Sequence, residues 1–164
     1  MSKIPVFDIG DTLSAARKPM NRAVREVLRE EGYTEVPGFD INRYNGFDPE
    51  KVGEWLEKEG FDVEPEKIVG AIRRVKRQEL EKAGAFRLLE RSSEIATPGL
   101  LSDNTMEAKK FYRQLLEDRG VEVDGFVVSE EVGVKKPDER IFQEFLDRRG
   151  VEGEECVYFG NRGD

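Results

Sequence analysis

The sequence contains no histidine, and this absence removes whole classes of enzyme from consideration. Imidazole is the side chain that most often serves as a general base, and it is also the commonest metal ligand. Enzymes built on a Ser-His-Asp triad or a Cys-His pair are therefore excluded for this chain. Any proton transfer or metal binding must rely on other side chains.

Cysteine is nearly as scarce, since Cys156 is the one thiol in 164 residues. A single cysteine forms neither an intrachain disulfide nor a cluster of thiolate ligands. Because Cys156 lies in the apolar run CVYF, we expect it to be a small buried side chain and not a nucleophile.

Long apolar runs are missing as well. No stretch approaches the roughly 20 residues that span a bilayer, and the N-terminus lacks the apolar core of a signal peptide. We therefore expect a soluble, cytoplasmic protein without a membrane partner. The net charge of −8 provides no basic footprint for DNA or RNA, so no nucleic-acid partner is expected either.

What the chain does contain is the pattern of an α/β domain. Of its residues 37% are hydrophobic, with 10 Phe among them, which suffices for a buried core. An apolar run at 4–7 predicts a first strand, and apolar residues at spacings of three and four predict helices throughout 16–84. Three further predicted strands, at 99–101, 125–128 and 156–159, then alternate with helices. We expect Asn104 to cap the helix after the first of these strands and Pro137 to open the helix after the second. This order predicts a doubly wound parallel sheet whose first strand is followed by an all-helical insertion.

Polar side chains follow each predicted strand at the point where the strand ends. They are Asp8 after the first strand, Ser102, Asp103 and Asn104 after the second, the loop 129–138 after the third, and Gly160 with Asn161 after the fourth. Any one of these groups alone is typical of a turn or a helix cap. In open α/β sheets, however, ligands bind beyond the carboxyl ends of the strands. The four groups together predict one site at that edge.

Four segments in this order resemble the motifs of the haloacid dehalogenase (HAD) superfamily, most of whose members are phosphatases. They are FDIGDTL (7–13), LLSDN (100–104), SEEVGVKKPDERIF (129–142) and CVYFGN (156–161). The third segment is the most specific and the first is next. The resemblance implies a Rossmann-like core from 1–15 and 85–164, interrupted by a helical cap of the family's first type at 16–84. It also implies a further helix and strand beyond position 164. The sequence leaves open whether this chain is a natural form of the fold without them.

The resemblance implies that Asp8 attacks phosphorus and forms an aspartyl-phosphate, which divides the hydrolysis of a small phosphorylated substrate into two easier steps. Ser102 would donate its hydroxyl to the phosphoryl oxygens. Lys136 would neutralise both the nucleophile and the phosphate, whereas its neighbour Lys135 lies one position away from the family's lysine. We further expect Thr12, Asp103 and Asn104 to contact the substrate.

The resemblance also implies a Mg²⁺ ion that relieves the repulsion between the nucleophile and an anionic substrate. Its ligands would be the Asp8 carboxylate, the backbone carbonyl of Gly10 and the side chain of Asn161, with Asp164 as a further acid. Asn161 departs from the family pattern, because the family has an aspartate there and an amide lacks the charge that holds the cation.

Gly10 is the second departure from the family pattern. The family normally places an acid there to protonate the leaving group, and glycine has no side chain to move a proton. Asp11, one position later, is the candidate substitute. Within the cap, Tyr44 and Phe47 are candidates for a substrate-facing loop, and Trp55 is expected in the core.

Two alternatives stay open from the sequence. One is a 2-haloacid dehalogenase, since those members of the family also lack the second acid of the first motif, use no metal and carry Asn in the fourth motif. The other is a HAD-fold protein that has lost catalysis and binds a ligand. Metal-dependent turnover distinguishes the phosphatase from both, and halide release distinguishes the two alternatives. The sequence is compatible with a monomer or a homodimer.

Overall fold

Four short parallel strands form a single sheet in the order β3-β2-β1-β4. Their bounds are β1 (Ile4–Phe7), β2 (Gly99–Ser102), β3 (Phe126–Val128) and β4 (Cys156–Phe159). The computed structural model describes residues 3–10, 12–13, 17–39 and 46–160. Because the chain adds β2 and β3 on one side of β1 and then crosses to add β4 on the other, the strand order reverses at β1. That reversal marks the place where open α/β sheets bind ligands.

Seven α-helices lie in the described part of the chain. They are α1 (Arg17–Glu30), α2 (Pro49–Glu59), α3 (Pro65–Lys82), α4 (Ala85–Ser92), α5 (Met106–Asp118), α6 (Ser129–Val132) and α7 (Glu139–Arg149). A 3₁₀ turn at Gly153–Glu155 precedes β4. None of these helices is long and apolar enough to cross a membrane. The doubly wound parallel sheet predicted from the sequence is confirmed.

The chain divides into two compact units, Met1–Ala15 with Leu80–Asp164, and Ala16–Glu79. In the first unit, Phe145 of α7 packs into the core beside Val6 of β1. Its ring fits because Gly125 has no side chain: a Cβ there would lie 2.7 Å from the ring. Helix α7 therefore packs closely against the sheet.

In the second unit, helix α2 contributes Trp55 to an aromatic core. Its ring lies 4.8 Å from that of Phe39 and 5.7 Å from that of Phe61, measured between centroids. Asp48 caps the helix, as its side chain accepts a hydrogen bond from the N–H of Glu50 at 2.9 Å. Trp55 is thus a core residue, as the sequence predicts.

Two helix starts differ from their predicted positions. Thr105, not Asn104, caps α5, because the Thr105 hydroxyl accepts from the N–H of Ala108 while the Asn104 side chain accepts from Thr105 itself. Helix α7 begins after Pro137, since Asp138 accepts from the N–H of Arg140 at 2.9 Å and takes the capping position.

Two helices were not predicted. Helix α4 has eight residues and α6 has four, the latter inside the stretch interpreted as a loop. Both are too short for apolar spacing to distinguish them from irregular chain.

Candidate active site

Asp8 lies directly after β1, at the carboxyl edge where the strand order reverses. Its backbone N–H donates to the carbonyl of Phe159 at 3.0 Å, which continues the pairing of β1 with β4. Its Oδ1 accepts from the N–H of Ile9 at 2.8 Å. The backbone of Asp8 is therefore fixed to β4, and its carboxylate is held by the N–H of the next residue.

Lys136 brings its ammonium to this carboxylate. Its Nζ lies 3.2 Å from Asp8 Oδ2, and the two side chains are 12% and 11% exposed. The same Nζ donates to the hydroxyl of Tyr158 at 2.6 Å. At the other end of the residue, the backbone N–H of Lys136 donates to Asp103 Oδ1 at 2.9 Å. Lys136 thus contacts Asp8 after β1, Asp103 after β2 and Tyr158 within β4.

The electrostatics keep this lysine charged. Burial lowers the pKa of Lys136, but its hydrogen bond to Tyr158 and its attraction to Asp8 outweigh burial, so the pKa stands above its usual value. Burial is also the main reason that the pKa of Tyr158 is raised, although the lysine opposes it. At neutral pH Lys136 is therefore an ammonium ion and Tyr158 is a neutral phenol.

Asn104 connects the loop after β2 to the segment after β3 and also contacts Ser102. Ser102 is buried, and its hydroxyl accepts from Asn104 Nδ2 at 3.4 Å. The backbone N–H of Asn104 donates to the hydroxyl of Ser129 at 3.0 Å, and that hydroxyl donates to the Asn104 carbonyl at 3.1 Å. Thr12, after β1, has a buried hydroxyl oxygen with no hydrogen-bond partner among the described residues.

The remaining predicted site residues divide into two groups. Asp11, Tyr44, Asn161 and Asp164 lie outside the described residues, so their roles stay predictions. Phe47, predicted for a substrate-facing loop, is 5% exposed. Such burial is typical of a core residue, because a buried ring offers little surface to a ligand.

Gly10 is exposed, and its position has room for a side chain. A Cβ built there meets no described atom within 4 Å, and its φ lies outside the range that side chains rarely adopt. The missing acid is therefore not explained by crowding at this position.

The described residues include two oxygen donors that suit a hard cation. The carboxylate of Asp8 and the backbone carbonyl of Gly10 are hard oxygen donors of the kind that Mg²⁺ prefers. Each Asp8 oxygen has two lone pairs, and its contact with Ile9 or Lys136 uses one of them. No group of three or more Cys, Asp or Glu side chains suited to a metal ion is found within the described residues.

A second charged cluster supports the loop that carries Lys136. Glu131 pairs with Lys109 at 2.7 Å, and these side chains are 12% and 9% exposed. Glu131 also accepts from the N–H of Val128 at 3.1 Å and from the guanidinium of Arg148. The carboxylate therefore links α5, the end of β3 and α7.

This cluster predicts a pH-dependent part of the protein's stability. Burial raises the pKa of Glu131, but the bonds from Lys109, Arg148 and Val128 outweigh it and hold the pKa below its usual 4.5. A carboxyl with a lowered folded-state pKa stabilises the fold above the unfolded-state value and loses that effect as pH falls through the folded-state value. We expect Glu131→Gln to lower the free energy of unfolding at pH 7 by about 3 kcal/mol, because it leaves buried Lys109 without its carboxylate.

Urea unfolding of wild type and E131Q from pH 7 to pH 3 measures this effect. The difference between the two proteins should begin to narrow below the usual carboxyl pKa, and it should close as pH falls through the lowered folded-state value, where Glu131 becomes neutral in the folded wild type. Exposed Glu130 is the matched control, and E130Q should follow wild type across the range. A constant difference between E131Q and wild type at all pH values would contradict the ionic explanation.

Tyr158 was not predicted as a candidate site residue, because it stands in an apolar run. A signal was nevertheless present. Alternation along β4 places Tyr158 on the same face as Cys156 and opposite the exposed Val157 and Phe159. A hydroxyl-bearing ring two residues before Gly160 thus sits at the edge where ligands bind.

The chain is similar in sequence to a known family and to one characterised protein. The model of a family described as haloacid dehalogenase-like hydrolase matches residues 6–163. A glyceraldehyde 3-phosphate phosphatase of Methanopyrus kandleri is 28% identical over 187 aligned positions, which cover 100% of this chain and 77% of that protein.

Two solved structures show the same fold at low identity. The HAD hydrolase YfnB from Bacillus subtilis, solved with bound magnesium, is 16% identical with a TM-score of 0.61, over 98% of this chain and 80% of its own. A 2-haloacid dehalogenase from Pseudomonas syringae is 20% identical with a TM-score of 0.61, over 99% of this chain and 79% of its own.

Proposed function

The chain belongs to the haloacid dehalogenase-like hydrolase family, and from that premise we propose that it is a Mg²⁺-dependent phosphatase of a small phosphorylated metabolite. The observation that carries the proposal is the contact of Lys136 Nζ with Asp8 Oδ2 at 3.2 Å, in a mostly buried pair at the ligand-binding edge of the sheet. A carboxylate nucleophile requires a nearby cation when its substrate is an anion. Similarity to a glyceraldehyde 3-phosphate phosphatase supports a phosphorylated substrate.

In the first step, Asp8 attacks phosphorus through its carboxylate. A bond forms from the carboxylate oxygen to phosphorus, and the bond from phosphorus to the leaving oxygen breaks. Lys136 offsets the charge that the phosphoryl oxygens carry, and the Ser102 hydroxyl is the proposed donor to one of them.

In the second step, water attacks the phosphorus of the aspartyl-phosphate, which releases inorganic phosphate and restores Asp8. Gly10 supplies no proton to the leaving oxygen of the first step and no base for the water of the second. The proton must therefore come from solvent or from Asp11, the predicted substitute, and substrates with good leaving groups are favoured.

Mg²⁺, when bound, supplies positive charge that relieves the repulsion between the carboxylate and the anionic substrate. Asp8 and the Gly10 carbonyl would hold it, together with the predicted ligands Asn161 and Asp164. We further propose that the helical segment 16–84 acts as the cap that excludes water and selects the substrate.

Phosphate release from an activated aryl phosphate, with and without Mg²⁺, tests the proposal. We expect release that requires Mg²⁺ and that disappears in Asp8→Asn, which keeps the shape of the side chain but removes the nucleophilic charge. Release at the same rate without Mg²⁺, or release that persists in D8N, would contradict the proposal.

A 2-haloacid dehalogenase is the second candidate, and Gly10 is the observation that favours it. Asp8 would then displace halide from carbon and form an ester, a reaction in which the leaving halide needs no proton. Halide release from 2-chloropropionate in the absence of metal, with no phosphate release, would select this function. A folded protein that releases neither product would instead be a ligand-binding member of the family.

A further inference from the structure

We infer that Tyr158 is a positioning residue for Lys136, holding its ammonium where it serves both Asp8 and the substrate's phosphoryl group. The inference rests on the proposed function, since it assigns a new residue to the same site.

The Tyr158 hydroxyl contacts the Lys136 ammonium directly. Nζ lies 2.6 Å from the Tyr158 hydroxyl, closer than the 3.2 Å that separates it from Asp8 Oδ2. Nζ also lies 5.3 Å from the centroid of the tyrosine ring. A lysine side chain has four rotatable bonds, so one contact leaves its head free to move, whereas two partners in different directions define its position.

Tyr158 is itself fixed, which a positioning residue must be. Its backbone pairs with Val6 in the sheet. Its ring packs edge-to-face on Phe142 of α7, with centroids 5.6 Å apart. A Cβ on Gly160 would lie 2.7 Å from the ring, so the glycine leaves the space that the ring occupies.

Asp103 completes the arrangement by holding the other end of Lys136. Its Oδ1 accepts from the lysine backbone N–H at 2.9 Å. Anchored at the backbone by Asp103 and at the ammonium by Tyr158, Lys136 does not depend on Asp8 for its place. This matters for chemistry, because an ammonium held by Asp8 alone would pair fully with the nucleophile and be less available to the phosphoryl group.

The test is Tyr158→Phe, which keeps the ring and its packing and removes only the hydroxyl. We expect kcat for an aryl phosphate to fall about tenfold, the lower end of the effect of one hydrogen bond to a charged group, while KM changes less than threefold. Vanadate, which mimics the five-coordinate phosphorus of the transition state, should bind about tenfold more weakly by calorimetry with Mg²⁺ present. Inorganic phosphate should bind within threefold of wild type.

A double-mutant cycle with Lys136→Met shows whether Tyr158 acts through the lysine. Vanadate binding should weaken with Y158F when Lys136 is present and stay within twofold when Met replaces it. Ser93→Ala is the control, because it removes an exposed hydroxyl at the end of α4 that donates to the carbonyl of Glu90 at 2.6 Å. S93A should leave kcat and vanadate binding unchanged.

The outcomes distinguish failure of the proposed function from failure of the role assigned to Tyr158. Wild-type protein that shows no phosphate release dependent on Asp8 overturns the proposed function, and this assignment with it. Wild-type turnover that Y158F leaves within twofold overturns the assignment alone, as does an equal effect of Y158F with and without Lys136. Gly160→Ala, which crowds the ring and displaces its hydroxyl, is a second variant and should lower kcat in the same direction.

Discussion

Gly10→Asp is expected to raise the turnover of an unactivated alkyl phosphate by about 100-fold, the lower end of what a general acid contributes. An alkoxide is a poor leaving group, so its departure is slow unless a proton arrives as the bond to phosphorus breaks. An aspartate two positions after the nucleophile would supply that proton to the leaving oxygen and later accept one from the attacking water.

The local structure allows this substitution. A Cβ at position 10 meets no described atom within 4 Å, and the position is exposed on the edge where Asp8 lies. The new carboxylate can therefore reach solvent and adopt more than one rotamer without displacing the core.

The measurement compares two substrates. Turnover of an aryl phosphate with an acidic phenol should change less than threefold, because its leaving group departs without a proton. Gly10→Asn matches the size of aspartate without its acid and should leave alkyl phosphate turnover at the wild-type level. An equal gain in G10N, or no gain in G10D, would contradict the view that proton transfer limits this enzyme.

The main features of the fold could be predicted from the sequence because its strands are short apolar runs that end in polar residues. The predicted run at 4–7 matches β1, and the run at 156–159 matches β4. Alternation of such runs with helical spacing is sufficient for a parallel sheet, and the match of the family over residues 6–163 confirms the resemblance. The role of 16–84 as a cap stays a prediction.

Helix boundaries were less predictable where two capping residues stand side by side. Asn104 and Thr105 are both suited to an N-cap, and local sequence does not choose between them. The choice is made by a contact 25 positions away, since Ser129 bonds to both the N–H and the carbonyl of Asn104. That contact exists only once β3 is in the sheet.

The same reason limits prediction of the site. Asp8 and Lys136 were found because their motifs carry a recognisable chemistry. Tyr158 was missed because its contact spans 22 positions and depends on the pairing of β4 with β1. Asp103 accepts from the Lys136 backbone through its Oδ1, a contact that was not foreseen, and its contact with substrate stays a prediction. Residue type indicated that it belongs to this edge, but its partner was set by loop geometry.

Lys136→Met is expected to lower kcat/KM for an aryl phosphate by about 1,000-fold, the upper end of the effect of removing one donor to a developing negative charge. The side chains of Lys136 and Asp8 are only 12% and 11% exposed, so water screens their charges weakly. Without the ammonium, an anionic substrate must approach the carboxylate with only the proposed Mg²⁺ to offset their repulsion. The loss should therefore appear in both binding and turnover.

Two variants separate charge from position. Exposed Lys135 is the matched control, and Lys135→Met should retain activity within twofold of wild type. Lys136→Arg keeps the positive charge, but its planar fork cannot reproduce the point contact of an ammonium with Asp8 and Tyr158, so its activity should fall between wild type and K136M. Circular dichroism and thermal unfolding establish that each variant is folded. A folded K136M that retains more than a tenth of wild-type kcat/KM would exclude Lys136 as the cation on which the reaction depends.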